Sequence, residues 1–382
     1  MNKPLFLVIC LAGINVFFSC NKEKEGKNAP GYRYDYVLAA DKIEKIKADE
    51  HTSLRTISCP QIVSTPTNDY FVFFNKETYQ IYTYDLNSAK LIKKISLYKD
   101  GPNGIGDCTG GIFVRSPDSI FVADGYRIFL LDSMGNRNTI YAFDRLTPSS
   151  MPLFNESTIP FISNNKMYLD GAPDLDPFKP NSFSYWPTLI ELDLQTSEKK
   201  YLCPLPTQYS KEIYGPNFAE SGFCFNPKTG VLSVTFPISS NIYRYNLNGD
   251  GDAMDSIHRY SIHEPNLFIK GPEKVETSFL GRTKFALLSN SYDLIFYDSF
   301  RDKHIRLLLK KISEEEFENK EWKKQVSVMI LDKDLNVIGE QDLPKTFYTP
   351  FWGFTKKHVV LLEWKEEDED HFYLHFMRYS KK

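Results

Sequence analysis

The chain has no basic excess. Its 46 lysines and arginines stand against 49 aspartates and glutamates, for a net charge of −3, and the pI is near 6.2. The electrostatic footprint of a nucleic-acid binder is therefore missing. It also lacks an apolar run long enough to span a bilayer. Residues 5–18 form a run of 14, interrupted by Asn15, against the roughly 18–20 that a spanning helix needs. There is no HExxH pair, serine elbow, phosphate-binding loop or dinucleotide fingerprint, which leaves the best-marked metal, acyl-transfer and nucleotide chemistries without their residues. Long amphipathic helices are missing too, with one candidate at 312–325 (ISEEEFENKEWKKQ), a charged stretch read as an insertion between strands. Cysteine is scarce. With Cys10 and Cys20 set aside, Cys59, Cys108, Cys203 and Cys224 remain, too widely spaced for a zinc finger. Free buried thiols are expected; if one bridge forms, Cys203–Cys224 closes a short loop.

Aromatic residues are plentiful, at 15% of the chain with 23 Tyr and 29 Phe, and these favour strands. Alternating apolar segments come in pairs bounded by Asp, Asn and Gly: 80–86 with 91–97, 119–124 with 127–132, 166–170 with 189–194, and 230–236 with 241–247. Further pairs are 285–289 with 294–298, 326–332 with 335–340, and 358–364 with 371–379. Such pairs are hairpin signals. Gly-Pro dipeptides at Gly101, Gly215 and Gly271 lie 114 and 56 residues apart, close to two units and one unit of about 57 residues. A repeated antiparallel unit of this kind predicts an all-β chain folded as a β-propeller. Six blades are expected over residues 32–382, with seven as the alternative and a β-sandwich pair as the competing architecture. Strands near 32–38 are expected to complete the last blade.

At the N-terminus, Lys3, the apolar run and Ser19 match a secretory signal over residues 1–19. The stretch Phe17-Phe18-Ser19-Cys20 resembles a bacterial lipobox, which implies lipidation of Cys20. Residues 20–31 would then tether the domain to a membrane, and the expected location is the outer membrane, on its periplasmic face or at the cell surface. The turn Gly101-Pro102-Asn103-Gly104-Ile105-Gly106, the run YDLIFYD at 292–298 and SVMILDKDLNVIG at 327–339 together resemble a Bacteroidota lipoprotein family catalogued as DUF4221. More broadly the chain is similar to six-bladed propellers of the TolB-like and NHL types. The resemblance implies binding or scaffolding and supplies no catalytic residues.

Several constellations are candidates for chemistry. Asn246, Asn248, Asp250, Asp252 and Asp255 resemble the first half of a calcium loop, but Ile257 occupies the place of the bidentate Glu; the plainer reading is a hairpin tip held by side-chain turns. His371 and His375, four apart on one strand face, read as satisfied histidines. Asp174 and Asp176, with Tyr185 and Trp186, lie in a Pro-rich loop suited to roofing a channel, while the acidic run 366–370 reads as a hairpin loop. If the Gly-Pro turns share one place in their blades, Asp107, Arg115, Tyr214, Asn217 and Glu220 gather near one mouth as ligand candidates. The functional expectation is a lipid-anchored envelope propeller that binds a ligand, such as a glycan, or a protein partner, without catalytic residues, cofactor or metal beyond the calcium alternative. The alternative is a glycan-processing hydrolase or lyase.

Overall fold

A computed structural model describes residues 32–144, 150–154, 158–173, 187–212, 214–247, 254–263, 269, 278–365 and 367–382. The expected signal, Cys20 and the tether lie outside these residues, as do Asp174, Asp176, Tyr185 and Trp186.

After a long first strand, β1 (Tyr32–Lys47), the strands fall into units in chain order. The first unit is β2 (Ile57–Ser64), β3 (Asp69–Asn75), β4 (Gln80–Asp85) and β5 (Lys90–Ser96). The second is β6 (Gly111–Ser116), β7 (Ser119–Asp124), β8 (Arg127–Leu131) and β9 (Arg137–Ala142). The third is β10 (Ser150–Leu153), β12 (Lys166–Pro173), β13 (Pro187–Asp193) and β14 (Lys199–Pro204), with the short β11 (Phe161–Ser163) also paired to β12. The fourth is β15 (Gly222–Asn226), β16 (Val231–Thr235), β17 (Asn241–Asn246) and β18 (Met254–His258). Then come β19 (Ser291–Asp298), β20 (Lys303–Lys310), β21 (Gln325–Leu331) and β22 (Val337–Leu343), followed by β23 (Phe347–Phe354), β24 (Val359–Glu363) and β25 (His371–Lys381).

The last two groups are fused by β1. It pairs antiparallel with β25 from Tyr36↔Lys381 to Lys47↔His371 and parallel with β22 at Tyr32↔Val337 and Tyr36↔Gly339. The N-terminal strand thus supplies the outermost strand of the last unit, and it runs well past the expected 32–38. Neighbouring inner strands approach one another, β2 with both β6 and β23, β15 with β19, and β19 with β23, so the chain returns on itself. This is a β-propeller. The apolar core divides between successive units. Val72, Ile81, Ile112 and Val122 fill the gap between the first and second, and Phe121, Ile128, Leu169 and Ile190 the next. Tyr168, Leu189, Leu232 and Val234 lie between the third and fourth, and Ile242, Ile295 and Leu308 between the fourth and fifth. Ile305, Val328, Trp352 and Val359 follow, and Phe71, Phe73, Val360 and Phe372 join the last unit to the first.

Because each unit begins at its innermost strand and alternates direction outward, its loops sort onto two faces. Links between units share one face with the turns between second and third strands; call it the link face. Turns between first and second, and between third and fourth strands, occupy the other, the hairpin face. On the hairpin face Asp85, Asp132, Asp193 and Asp332 each accept main-chain N–H groups from two residues on, at 3.0, 2.8, 2.8 and 3.0 Å. These side-chain turns tie the outer hairpins of four units in the same way.

Two expectations are corrected. Residues 285–289 are not a strand. They fall at the end of helix α1 (Phe279–Leu287), whose cap is Ser278 accepting from the Gly281 N–H, and Phe285 packs its ring 5.2 Å from Phe218. The hairpin partner of β19 is β20, an apolar run that follows it rather than precedes it. The helix expected over 312–325 is confined to α2 (Glu314–Glu318). Ser313 and Glu316 form a capping box at its start, and Lys320, at a left-handed φ of 63°, lies just beyond its end. The four cysteines are free and buried, so no Cys203–Cys224 bridge exists.

Gly339 sits where β1 crosses from β25 to β22, and a Cβ there would lie 2.2 Å from the Tyr36 carbonyl oxygen. Gly339→Ala is expected to loosen this closure and cost about 2 kcal/mol or more. Urea unfolding followed by circular dichroism measures it.

Candidate functional site

The link face between the fourth and fifth units brings together three ionisable side chains. Glu220 precedes β15 and is exposed, yet enough protein surrounds its carboxylate to raise its pKa above the ordinary range by desolvation. Asp293 lies near the start of β19, where the pairing with β20 shifts register between Tyr292 and Ile295; such a bulge re-aims side chains. Burial pushes its pKa up to about 7, the Glu220 charge adds to the rise, and Lys324 opposes it. Neither carboxylate forms a hydrogen bond with a described residue.

Backbone packing places the pair. Gly222 lets the two inner strands meet, since a Cβ there would stand 2.9 Å from Leu294 Cα and 3.0 Å from the Asp293 carbonyl oxygen. Beneath them Arg306, fully buried, stacks 3.7 Å from the centre of the Tyr292 ring. Its guanidinium donates to Thr235 Oγ1 at 2.6 and 2.9 Å and to the Ser239, Ser240 and Arg259 carbonyls at 2.7–2.8 Å. With the Asn241 carbonyl at 3.3 Å, all five acceptors belong to the fourth unit, so this strut on β20 holds the paired β19, and with it Asp293, against that unit.

Lys324 enters from the connection between β20 and β21. Its ammonium donates to the Ala286 and Ser289 carbonyls at 3.0 and 2.6 Å. Burial lowers its pKa to about 8, and the Asp293 charge limits the fall. It therefore holds the C-terminal end of α1, where a cation suits the helix dipole, over the mouth. A carboxyl pushed up to about 7, a second raised above the ordinary range and an ammonium lowered to about 8 can exchange a proton or receive a polar or cationic group.

The sequence candidates distribute unevenly around this site. Tyr214, Asn217 and Glu220 share the link ahead of β15. Asn217 is exposed in a 3-10 turn over Pro216–Phe218. Tyr214 is buried, its ring 5.4 Å from that of Tyr209, and its role is packing. Asp107 lies on the same face but in the link ahead of β6, where it pairs with Lys99 at 2.9 Å. Arg115 is at the far end of β6, on the hairpin face, so the five do not gather at one mouth. Asp293 and Lys324 were missed by the sequence reading. An acid inside the apolar run YDLIFYD was the available signal for Asp293; Lys324 lay in the charged stretch 312–325, read as an insertion between strands.

For the calcium loop, Asn246 ends β17 at the hairpin position that carries Asp85, Asp132, Asp193 and Asp332 in other units. Asp255, on β18, faces Arg244 across the ladder and accepts from its Nε at 2.8 Å. Asn248, Asp250 and Asp252 lie outside the described residues. Among the described residues no group of three or more His, Cys, Asp or Glu is disposed to hold a metal. His371 pairs with Asp368 and His375 with Glu363, each at 2.7 Å, as satisfied histidines.

Comparison with known proteins adds the family. The family model described as a domain of unknown function (DUF4221) matches residues 38–342. The crystal structure of a DUF4221 member from Bacteroides vulgatus superposes with a TM-score of 0.72 at 18% identity, over 92% of this chain and 100% of that one. A protein described as exported, from Bacteroides fragilis, matches with a TM-score of 0.50 at 9% identity, over 92% and 99%. No curated protein matches the sequence.

The charges set a pH dependence. Folded Asp293 keeps its proton up to about pH 7, whereas unfolded it loses it near 3.8. Its contribution to stability is full below pH 4 and lost as pH rises through 7. The depressed Lys324 acts oppositely, adding stability as pH rises from about 8 towards 10.5. Asp293→Asn removes the first window, so wild type should lose roughly 1–3 kcal/mol more than the variant between pH 4 and 8 in urea titrations.

Proposed function

We propose that this chain, which belongs to the DUF4221 family, is a lipid-anchored envelope propeller that binds a polar ligand at the mouth formed by Glu220 and Asp293. One observation carries the reading: two carboxylates without hydrogen-bond partners among the described residues stand at the starts of adjacent inner strands, held there by the Gly222 contact. Unsatisfied, partly desolvated acceptors are kept where a ligand supplies the donors. Asn217 adds an exposed amide on the same link. The proposed anchor is a lipid on Cys20, with residues 20–31 leading to Tyr32, where β1 begins at the outer rim of the ring.

A second reading has its own support. A carboxyl that titrates near 7 beside another carboxylate is the arrangement of acid–base glycoside cleavage. On this reading the mouth is a glycan hydrolase or lyase site.

One panel of envelope glycans tests both. The full chain in detergent should show a higher melting temperature with one glycan class, and Glu220→Gln should weaken that binding by about tenfold. Release of reducing ends, abolished by Asp293→Asn, would favour the enzyme; a flat panel would remove both readings. Separately, Cys20→Ala is expected to move the protein from the membrane to the soluble fraction and to abolish incorporation of radiolabelled palmitate.

A further inference from the structure

The hairpin face carries a second concavity between the same two units. A crevice of about 190 Å³, room for roughly six waters, is lined by Thr229, Ser233 and Arg244 of the fourth unit and by His304, Lys333 and Asp334 of the fifth. Every loop that shapes it, between β15 and β16, β19 and β20, and β21 and β22, lies on the face opposite Glu220 and Asp293.

Two of these residues are buried yet incompletely satisfied. Ser233 and His304 are each 3% exposed. His304 Nδ1 lies 3.3 Å from the Asp332 carbonyl oxygen. A carbonyl only accepts, so the ring proton sits on Nδ1 and Nε2 is left as an acceptor. The Tyr297 ring, with its centroid 4.9 Å away, packs against the imidazole. Burial lowers the histidine pKa to about 4, which keeps the ring neutral near pH 7. Among the described residues, neither Ser233 Oγ nor His304 Nε2 has a hydrogen-bond partner.

The crevice also offers cations. Arg244 spends Nε and Nη2 on Asp255, and its Nη1 hydrogens remain. Lys333 is paired with Asp334 at 2.8 Å, both residues exposed. A buried bare acceptor beside a serine hydroxyl suits a ligand O–H, while the spare Arg244 Nη1 hydrogens, with Lys333 exchanged from its exposed partner Asp334, suit a carboxylate on the same small molecule.

We propose that this crevice binds a sugar acid, its carboxylate against Arg244 and Lys333 and a ring hydroxyl donating to His304 Nε2 beside Ser233. The site is separate from the mouth and does not depend on the reading given to it.

The full chain in detergent, titrated calorimetrically with D-glucuronate, tests this, with D-glucose and inorganic phosphate as comparison probes. Glucuronate should bind at least about tenfold more tightly than either. Ser233→Ala and Arg244→Gln should each weaken it about fivefold or more at unchanged melting temperature, while Glu220→Gln leaves it unaltered. Absence of glucuronate binding overturns the proposal. So does phosphate binding of equal strength, which would mark a plain anion site, or glucuronate binding indifferent to both crevice substitutions.

Discussion

Burial of each unit's two faces against its neighbours is the constraint on which everything else rests. A lone four-stranded sheet leaves one or both faces wet and is marginal in water. Here the apolar residues on both faces are covered by the preceding and following units, and the first and last are covered by each other through Phe71, Phe73, Val360 and Phe372. A charge buried in one of these interfaces has its hydrogen bonds met. Arg306 shows how: its charge rests on an aromatic face and its donors end on oxygens of the adjoining unit. Removing those acceptors would strand a buried cation, so the interface is specified in register as well as in composition.

The same packing locates function at edges rather than inside units. Most side chains along the strands are used up in the interfaces, so chemistry gathers where strands begin and end, joined in the crevice by Ser233 and Arg244 from mid-strand. The fourth and fifth units use both ends. At the link face a bulge and a long connection bring Asp293, Glu220 and Lys324 together; at the hairpin face turn residues and the first residues of β20 frame the crevice.

Legibility followed the range of the interactions. Hairpins were readable because alternation and Asp or Asn turns are local; the units begin unevenly, at Ile57, Gly111, Ser150, Gly222, Ser291 and Phe347, so the Gly-Pro spacing did not mark them, and Gly271 lies outside the described residues. Helix α1 was not readable: the apolar residues near Phe285 look like a short strand, and what decides is the Ser278 cap and the seat against Phe218, a tertiary contact. In 312–325 the charge pattern suggested a helix, but only the capping-box turn formed, since Lys324 is drawn to the Ala286 and Ser289 carbonyls instead. Arg115 was misplaced for a geometric reason: it lies near Asp107 in sequence, but an inner strand crosses the ring between them. Asp293 and His304 gain their character from burial among distant segments, which no spacing rule encodes.

The closing strand has a consequence in time. Leu38 N–H reaches Gln341 Oε1 at 2.6 Å across 303 positions of sequence, and β1 finds its antiparallel partner only when β25 exists. Contacts so distant carry the largest loop-closure cost and form late. Until β25 is present, β1 has no antiparallel partner and the ring stands open. A chain interrupted within β25 is therefore exposed to proteolysis and to strand exchange with another copy. Completion of the fold waits on β25, and products truncated before it are marked for removal by their own open edge.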